Sequence, residues 1–171
     1  ALVGATMVPV DTYPDFRLDP DRVATAITPR TKAILVCSPA NPTGAVTSPE
    51  ALKAVAELAR KHGVLLISDE IYRAFHHDGP PRSPAEFSED VLVIEGFGKT
   101  YAVTGWRLGF AHGPKHVIEE MTKLQQFTYV CAPTPFQHAT LAALDYDVSA
   151  IAADCRRKRD LLVAGLRDRF A

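Results

Sequence analysis

The chain has 171 residues, 47% of them hydrophobic and 23% charged, enough for one folded unit that buries roughly 70% of its unfolded surface; a disordered or fibrous protein is excluded. A formal net charge of -1 offers no field for nucleic acid or an anionic membrane, and no apolar run is long enough to span a bilayer. Cys37, Cys131 and Cys155 form no C-x-x-C pair, which argues against a disulfide framework or a zinc site and fits a reducing, cytoplasmic setting.

In chain order, Thr6 to Val10 reads as a short β-rich run closed by the turn formers Asp11 to Asp15. Asp19-Pro20-Asp21 opens a brief helix to about Ile27, with acidic residues at its positive end. Ala33 to Cys37 is apolar on both faces, the pattern of a central strand in a parallel sheet, and Ser38 to Gly44 follows at its C-terminal end. Thr47 to Glu50 offers a capping box, Leu52, Val55, Leu58 and Ala59 recur at helical spacing, and Arg60-Lys61-His62-Gly63 closes that helix. Val64 to Ser68 is a second strand of the doubly buried kind, with Asp69-Glu70-Ile71-Tyr72 at its end. A strand, helix, strand order predicts a parallel crossover, so both polar clusters emerge on one edge.

His76 to Pro84 reads as a proline-rich exposed loop, and its two histidines lack a third partner at metal-binding spacing. Val91 to Glu95 is a further buried strand, followed by Gly96-Phe97-Gly98-Lys99 and, eight residues on, Arg107 between glycines. Arg107 to His112 reads as a strand, and helices are expected over 114–127, 134–144 and 149–170. Arg156-Arg157-Lys158-Arg159 reads as a solvated helix face, with Ile151, Cys155, Leu162 and Leu166 on the other side. The fold class this predicts is α/β, a mostly parallel sheet flanked by helices in three αβα layers, in a single domain over 1–171. Without a starting methionine, and with Phe170-Ala171 inside a helical pattern, both ends read as cut from a longer chain.

The stretch around Lys99 carries the chemistry. Glycines flanking Phe97 let the backbone turn sharply and come close to a ligand. Lysine beside an apolar strand is poorly solvated, which favours the neutral amine and a nucleophilic role toward a carbonyl. A P-loop is excluded because Val93 stands where its first glycine belongs. Asn41, Asp69, Tyr72, Lys99 and Arg107 together match the needs of pyridoxal phosphate: an amine for the aldehyde, a carboxylate for the ring nitrogen, hydroxyl and amide donors for the phenolate, and a guanidinium for the phosphate. At a reference pKa of about 10.4, only roughly one free lysine in a few thousand is neutral at pH 7, so a covalently engaged lysine is the better base. Taken singly, Asn41 also reads as an Asx-turn residue, Asp69 as a helix cap, Tyr72 as a core residue and Lys99 as a snorkelling side chain, while Trp106 and Tyr101 read as packing residues. The joint reading prevails because the alternative needs several coincidences at strand ends.

Ser38-Pro39-Ala40-Asn41-Pro42-Thr43-Gly44, Ser68-Asp69-Glu70-Ile71-Tyr72 and Lys99 to Gly109 resemble the cofactor motifs of class I/II, fold-type I aminotransferases, as do the 28-residue step from Asn41 to Asp69 and the eight-residue step from Lys99 to Arg107. The resemblance implies pyridoxal 5'-phosphate as cofactor, with Lys99 as the Schiff-base lysine, Asp69 on the ring nitrogen, Asn41 and Tyr72 on the phenolate oxygen and Arg107 on the phosphate; Lys99, Asp69 and Tyr72 are the catalytic candidates. It implies transamination between an amino acid and a 2-oxo acid, and a homodimer. A pyridoxal-phosphate lyase or an aminotransferase-like sensor domain of a regulator uses the same residues. Gly96 and Gly98 depart from the pattern, which usually has a hydroxyl residue three before the lysine and often another just before it. The family's glycine-rich phosphate loop and ring-stacking aromatic are expected upstream of Ala1, and its substrate-carboxylate arginine downstream of Ala171, so the chain reads as the central part of the large domain and as inert by itself.

Overall fold

A computed structural model describes residues 3–169. Helix α1 (Pro20–Ala26) is capped by Asp19, whose carboxylate accepts the backbone N–H groups of Asp21 and Arg22. Strand β1 (Ala33–Cys37) leads to α2 (Pro49–His62), then β2 (Leu65–Asp69), 3-10 turns at Arg73–Phe75 and Pro84–Glu86, and β3 (Val91–Gly96). Lys99 lies in a single helical turn, α3 (Phe97–Thr100), followed by a 3-10 turn at Thr104–Trp106 and β4 (Gly109–His112). Helices α4 (Lys115–Gln126), α5 (Thr134–Leu144) and α6 (Ser149–Leu166) complete the described chain, and α6 ends in a 3-10 turn at Arg167–Arg169. The expected extension to Phe170 lies outside the described residues.

The four strands lie in sequence order, β1, β2 and β3 parallel and β4 antiparallel to β3. Side chains alternate across a strand, so this register puts Val36, Leu66, Ser68, Val91 and Val93 on one face. There they meet Val55, Ala56 and Ala59 of α2 and Val23 of α1, which form the core cluster. Each buried valine or leucine of the cluster contributes up to about 1.5–3 kcal/mol, and the alanines less. Helix α2 therefore holds the parallel crossover flat against the sheet, and the C-terminal ends of β1, β2 and β3 line up on one edge.

Several expectations change. The loop expected to be exposed over 76–84 ends buried, with Ser83 and Pro84 packed away, and the strand expected from Arg107 begins at Gly109, because Arg107 is left-handed. Thr6 to Val10 forms no strand, because no neighbour among the described residues pairs with it; Met7 and Val8 are exposed. Strand β1 is an edge strand among the described residues, not a central one: Val36 is buried but Leu35 is 67% exposed on the opposite face. The cap of α2 is Ser48, whose hydroxyl accepts from Ala51 N, and not Thr47, because Pro49 occupies the first helical position. Leu162 and Leu166 of α6 are exposed while Ile151 and Cys155 are half-buried, so the apolar side of that helix, which lies near the Arg73–Phe75 turn, is covered only in part within the described residues. Its basic run is solvated as expected, with Arg157 and Lys158 both paired to Asp154 at 2.7 and 2.6 Å.

Candidate functional site

Asn41 follows β1, Tyr72 follows β2 and Lys99 follows β3, and the edge brings the three together. Asn41 Nδ2 donates to Tyr72 Oη at 3.1 Å, across 31 residues of sequence. Lys99 Nζ stands over the Tyr72 ring, 5.7 Å from its centroid. The turn that delivers Asn41 is closed by backbone bonds from Gly44 N to Ala40 O and from Ala40 N to Ala45 O.

Asp69 is the last residue of β2, flanked in register by Cys37 and Ile94. Its Oδ1 accepts Ile71 N at 3.1 Å, which fixes the carboxylate at the start of the turn that carries Tyr72. The Cys37 thiol is pushed up from its ordinary pKa, first by burial and then by the Asp69 charge, so it stays protonated at neutral pH.

Lys99 and Arg107 are tied through backbone. Phe97 N donates to Leu108 O at 3.2 Å, and a Cβ on Gly98 would sit 3.3 Å from Thr104 Cα. A Cβ on Gly96 would lie 2.6 Å from Ile71 Cδ1. Neither glycine has a positive φ, so their service is close approach between protein segments rather than a sharp turn. Arg107 adopts the left-handed conformation at φ 53°, and its Nη1 donates to Thr104 O at 3.1 Å. That fixed posture leaves the rest of the guanidinium fork exposed.

Lys99 is exposed in this chain, so the poor solvation expected of it beside an apolar strand is not found. The site is an open edge. A neighbouring cleft of about 280 Å3 lies between Ser38, Ser48, His76 and Arg82 and is lined by none of the five candidates. Trp106 stacks on Phe136 of α5, with ring centroids 5.1 Å apart, and Tyr101 stacks on Phe97, so both are packing residues.

The donor set suits pyridoxal phosphate: an exposed primary amine, a carboxylate held by a backbone N–H, a linked hydroxyl and amide, and a guanidinium with unused donors. Sequence reasoning passed over Glu70. Its carboxylate is 2% exposed and accepts from Ser68 Oγ, Ser83 Oγ and Arg73 Nη1. The signal was available: in a strand ending Ser68-Asp69-Glu70, period two turns Ser68 and Glu70 to the side opposite Asp69.

A family model described as aminotransferase class I and II matches residues 1–170. Aspartate/prephenate aminotransferase of Thermus thermophilus is 44% identical over 172 residues, covering 95% of this chain and 45% of that protein. A probable N-succinyldiaminopimelate aminotransferase of Mycobacterium tuberculosis is 36% identical, covering 98% of this chain and 45% of its own length. Among solved structures, a tetra mutant of Thermus thermophilus aspartate aminotransferase superposes with a TM-score of 0.91 at 44% identity, covering 96% of this chain and 48% of that one. The chain thus spans a little under half the length of these relatives.

Proposed function

Since the chain belongs to the class I and II aminotransferases, we propose that the protein carrying it transfers an amino group between an amino acid and a 2-oxo acid with pyridoxal 5'-phosphate. The carrying observation is the meeting of Asn41, Tyr72 and Lys99, from three separate strand ends, at one edge of the sheet. Bound there, the cofactor supplies an electron sink for the substrate Cα–H bond.

In this reading Lys99 is the amine that bonds the cofactor aldehyde, and when released it moves the proton at the substrate Cα. Asp69 holds a proton on the ring nitrogen. Tyr72 and Asn41 donate to the phenolate oxygen, their mutual hydrogen bond keeping both aimed at it. Arg107 takes phosphate oxygens with the donors that Thr104 O leaves free. With Gly96 and Gly98 in place, the phosphate is held with fewer hydroxyl donors than the family pattern supplies. A homodimer belongs to the same reading, since Phe127 and Tyr129 in the turn after α4, Leu141 on α5 and Leu162 on α6 leave large apolar surface. So does a reducing, cytoplasmic setting, in keeping with three free thiols.

The test is pyridoxal phosphate added to the full-length protein. The absorption band of lysine-linked cofactor should form, and Lys99→Ala should abolish it together with amino-group transfer to a 2-oxo acid. A band and transfer that survive in Lys99→Ala would refute the reading. Elimination and sensing are not advanced, because the named relatives above are aminotransferases. The 171-residue chain alone should turn over no amino acid, with its site an open edge.

A further inference from the structure

We infer that Glu70 is a positioning residue for the cofactor site, aiming the Asp69 carboxylate and the Tyr72 turn from behind the sheet. The inference rests on the pyridoxal-phosphate reading of that site. Asp69 and Glu70 are adjacent and do opposite things. Asp69 is half-buried and needs only one backbone N–H, whereas Glu70 is 2% exposed and draws three donors.

Those donors come from both sides of Asp69. Ser68 Oγ, one residue before it, donates to Glu70 Oε1 at 2.9 Å. Arg73, just past Tyr72, reaches Glu70 Oε2 with Nη1 at 3.3 Å, and the same nitrogen lies 3.9 Å from Glu95 Oε1 on β3. The third donor, Ser83 Oγ, belongs to the Pro84–Glu86 turn. Backbone bonds follow the same line, Glu70 N to Ile94 O at 2.9 Å and Arg73 N to Glu70 O at 2.8 Å.

One carboxylate thus pins the strand before Asp69, the turn after it and a remote loop, and through Arg73 it reaches the strand that leads into Lys99. A carboxylate accepts at both oxygens and donates at neither, which suits three converging donors. Without it, Arg73 and two hydroxyls lose their common acceptor, and the Asp69–Tyr72 turn keeps its backbone bonds, the Ile71 N–H on Asp69 and the Asn41 amide on Tyr72, but no side-chain tie to Ser68, Arg73 or Ser83. An ordinary buried ion pair would stabilise the fold without regard to Asp69; a positioning residue must lose its effect when Asp69 no longer binds the ring.

The experiment measures the dissociation constant of pyridoxal phosphate by absorbance titration of the full-length protein, alongside the urea midpoint, for wild type, Glu70→Gln, Glu70→Ala, Asp69→Asn and the Glu70→Ala/Asp69→Asn double variant. Glu70→Ala should weaken binding roughly tenfold in the wild-type background and less than about twofold once Asp69 is Asn, a coupling typical of networked residues. Glu70→Gln should recover part of the loss, because its amide oxygen faces Arg73 while the serine hydroxyls turn to accept its N–H, and it keeps the test open if Glu70→Ala does not fold. Val55→Ala, in the core away from the site, should lower the urea midpoint and leave cofactor affinity unchanged. Equal weakening in both backgrounds, or no weakening in either Glu70 variant, would overturn the inference while leaving the cofactor reading intact. Failure of wild type to bind cofactor would overturn both.

Discussion

Helices α2 and α4 both carry an apolar stripe at helical spacing, yet α2 buries Leu52, Val55, Ala56 and Ala59 whereas α4 buries no residue. The same holds on a larger scale. The core cluster lies wholly within residues 23–93, while α5 buries only Thr140 and α6 nothing. A stripe is a property of local sequence; burial needs an opposing surface. The sheet offers α2 that surface, and among the described residues nothing comparable is offered to the C-terminal helices.

Leu66→Ala should be the sharpest break. Its side chain is 1% exposed at the centre of the sheet, and truncation should lower the unfolding free energy by about 3 kcal/mol in urea denaturation, through lost burial and an unfilled cavity. Ser48→Ala removes the cap of α2 and should cost about 1 kcal/mol by the same measurement. A cost near zero would mean that sheet packing alone, without its terminal hydrogen bond, holds α2.

A smaller effect is expected at Glu86. The Ser83 N–H, and then the Arg82 guanidinium, hold its carboxyl below the usual range. A depressed acid contributes stability above its unfolded pKa, and that stability is lost as pH falls through the lower folded value. Glu86→Gln should therefore lower stability slightly at neutral pH, flatten its decline below about pH 4.5 and leave stability in acid little changed, followed by circular dichroism through an acid titration. Smallest of all, Leu161→Ala in α6 should change the stability of the 171-residue chain by less than about 0.5 kcal/mol, since that side chain is 61% exposed. A larger cost in the full-length protein than in the 171-residue chain would show that the C-terminal helices acquire their opposing surface there.

Much of the site was legible because it follows a local rule. Apolar runs ending at Cys37, Ser68 and Glu95 are each followed by polar residues, and parallel strands deliver such residues to a common edge. Asn41 and Tyr72 could therefore be expected as neighbours, and their 3.1 Å hydrogen bond bears that out. The solvation of Lys99 was not legible, since it depends on what stands across from the amine and not on the strand before it. Gly96 and Gly98 signalled special backbone, but whether they serve a turn or a close approach was decided by Ile71 and Thr104, 25 residues upstream of Gly96 and six downstream of Gly98.

By itself the amino-acid order determined most of the run of elements, the cap at Asp19 and the closing of α2 at Gly63, because periodicity and capping act over one or two turns of chain. Only the tertiary structure decided that β1 lies at an edge, that Thr6 to Val10 goes unpaired and that Ser83 reaches back to Glu70. Each of these is an interaction between segments far apart in sequence, and residue order does not state which segment will be there to meet another.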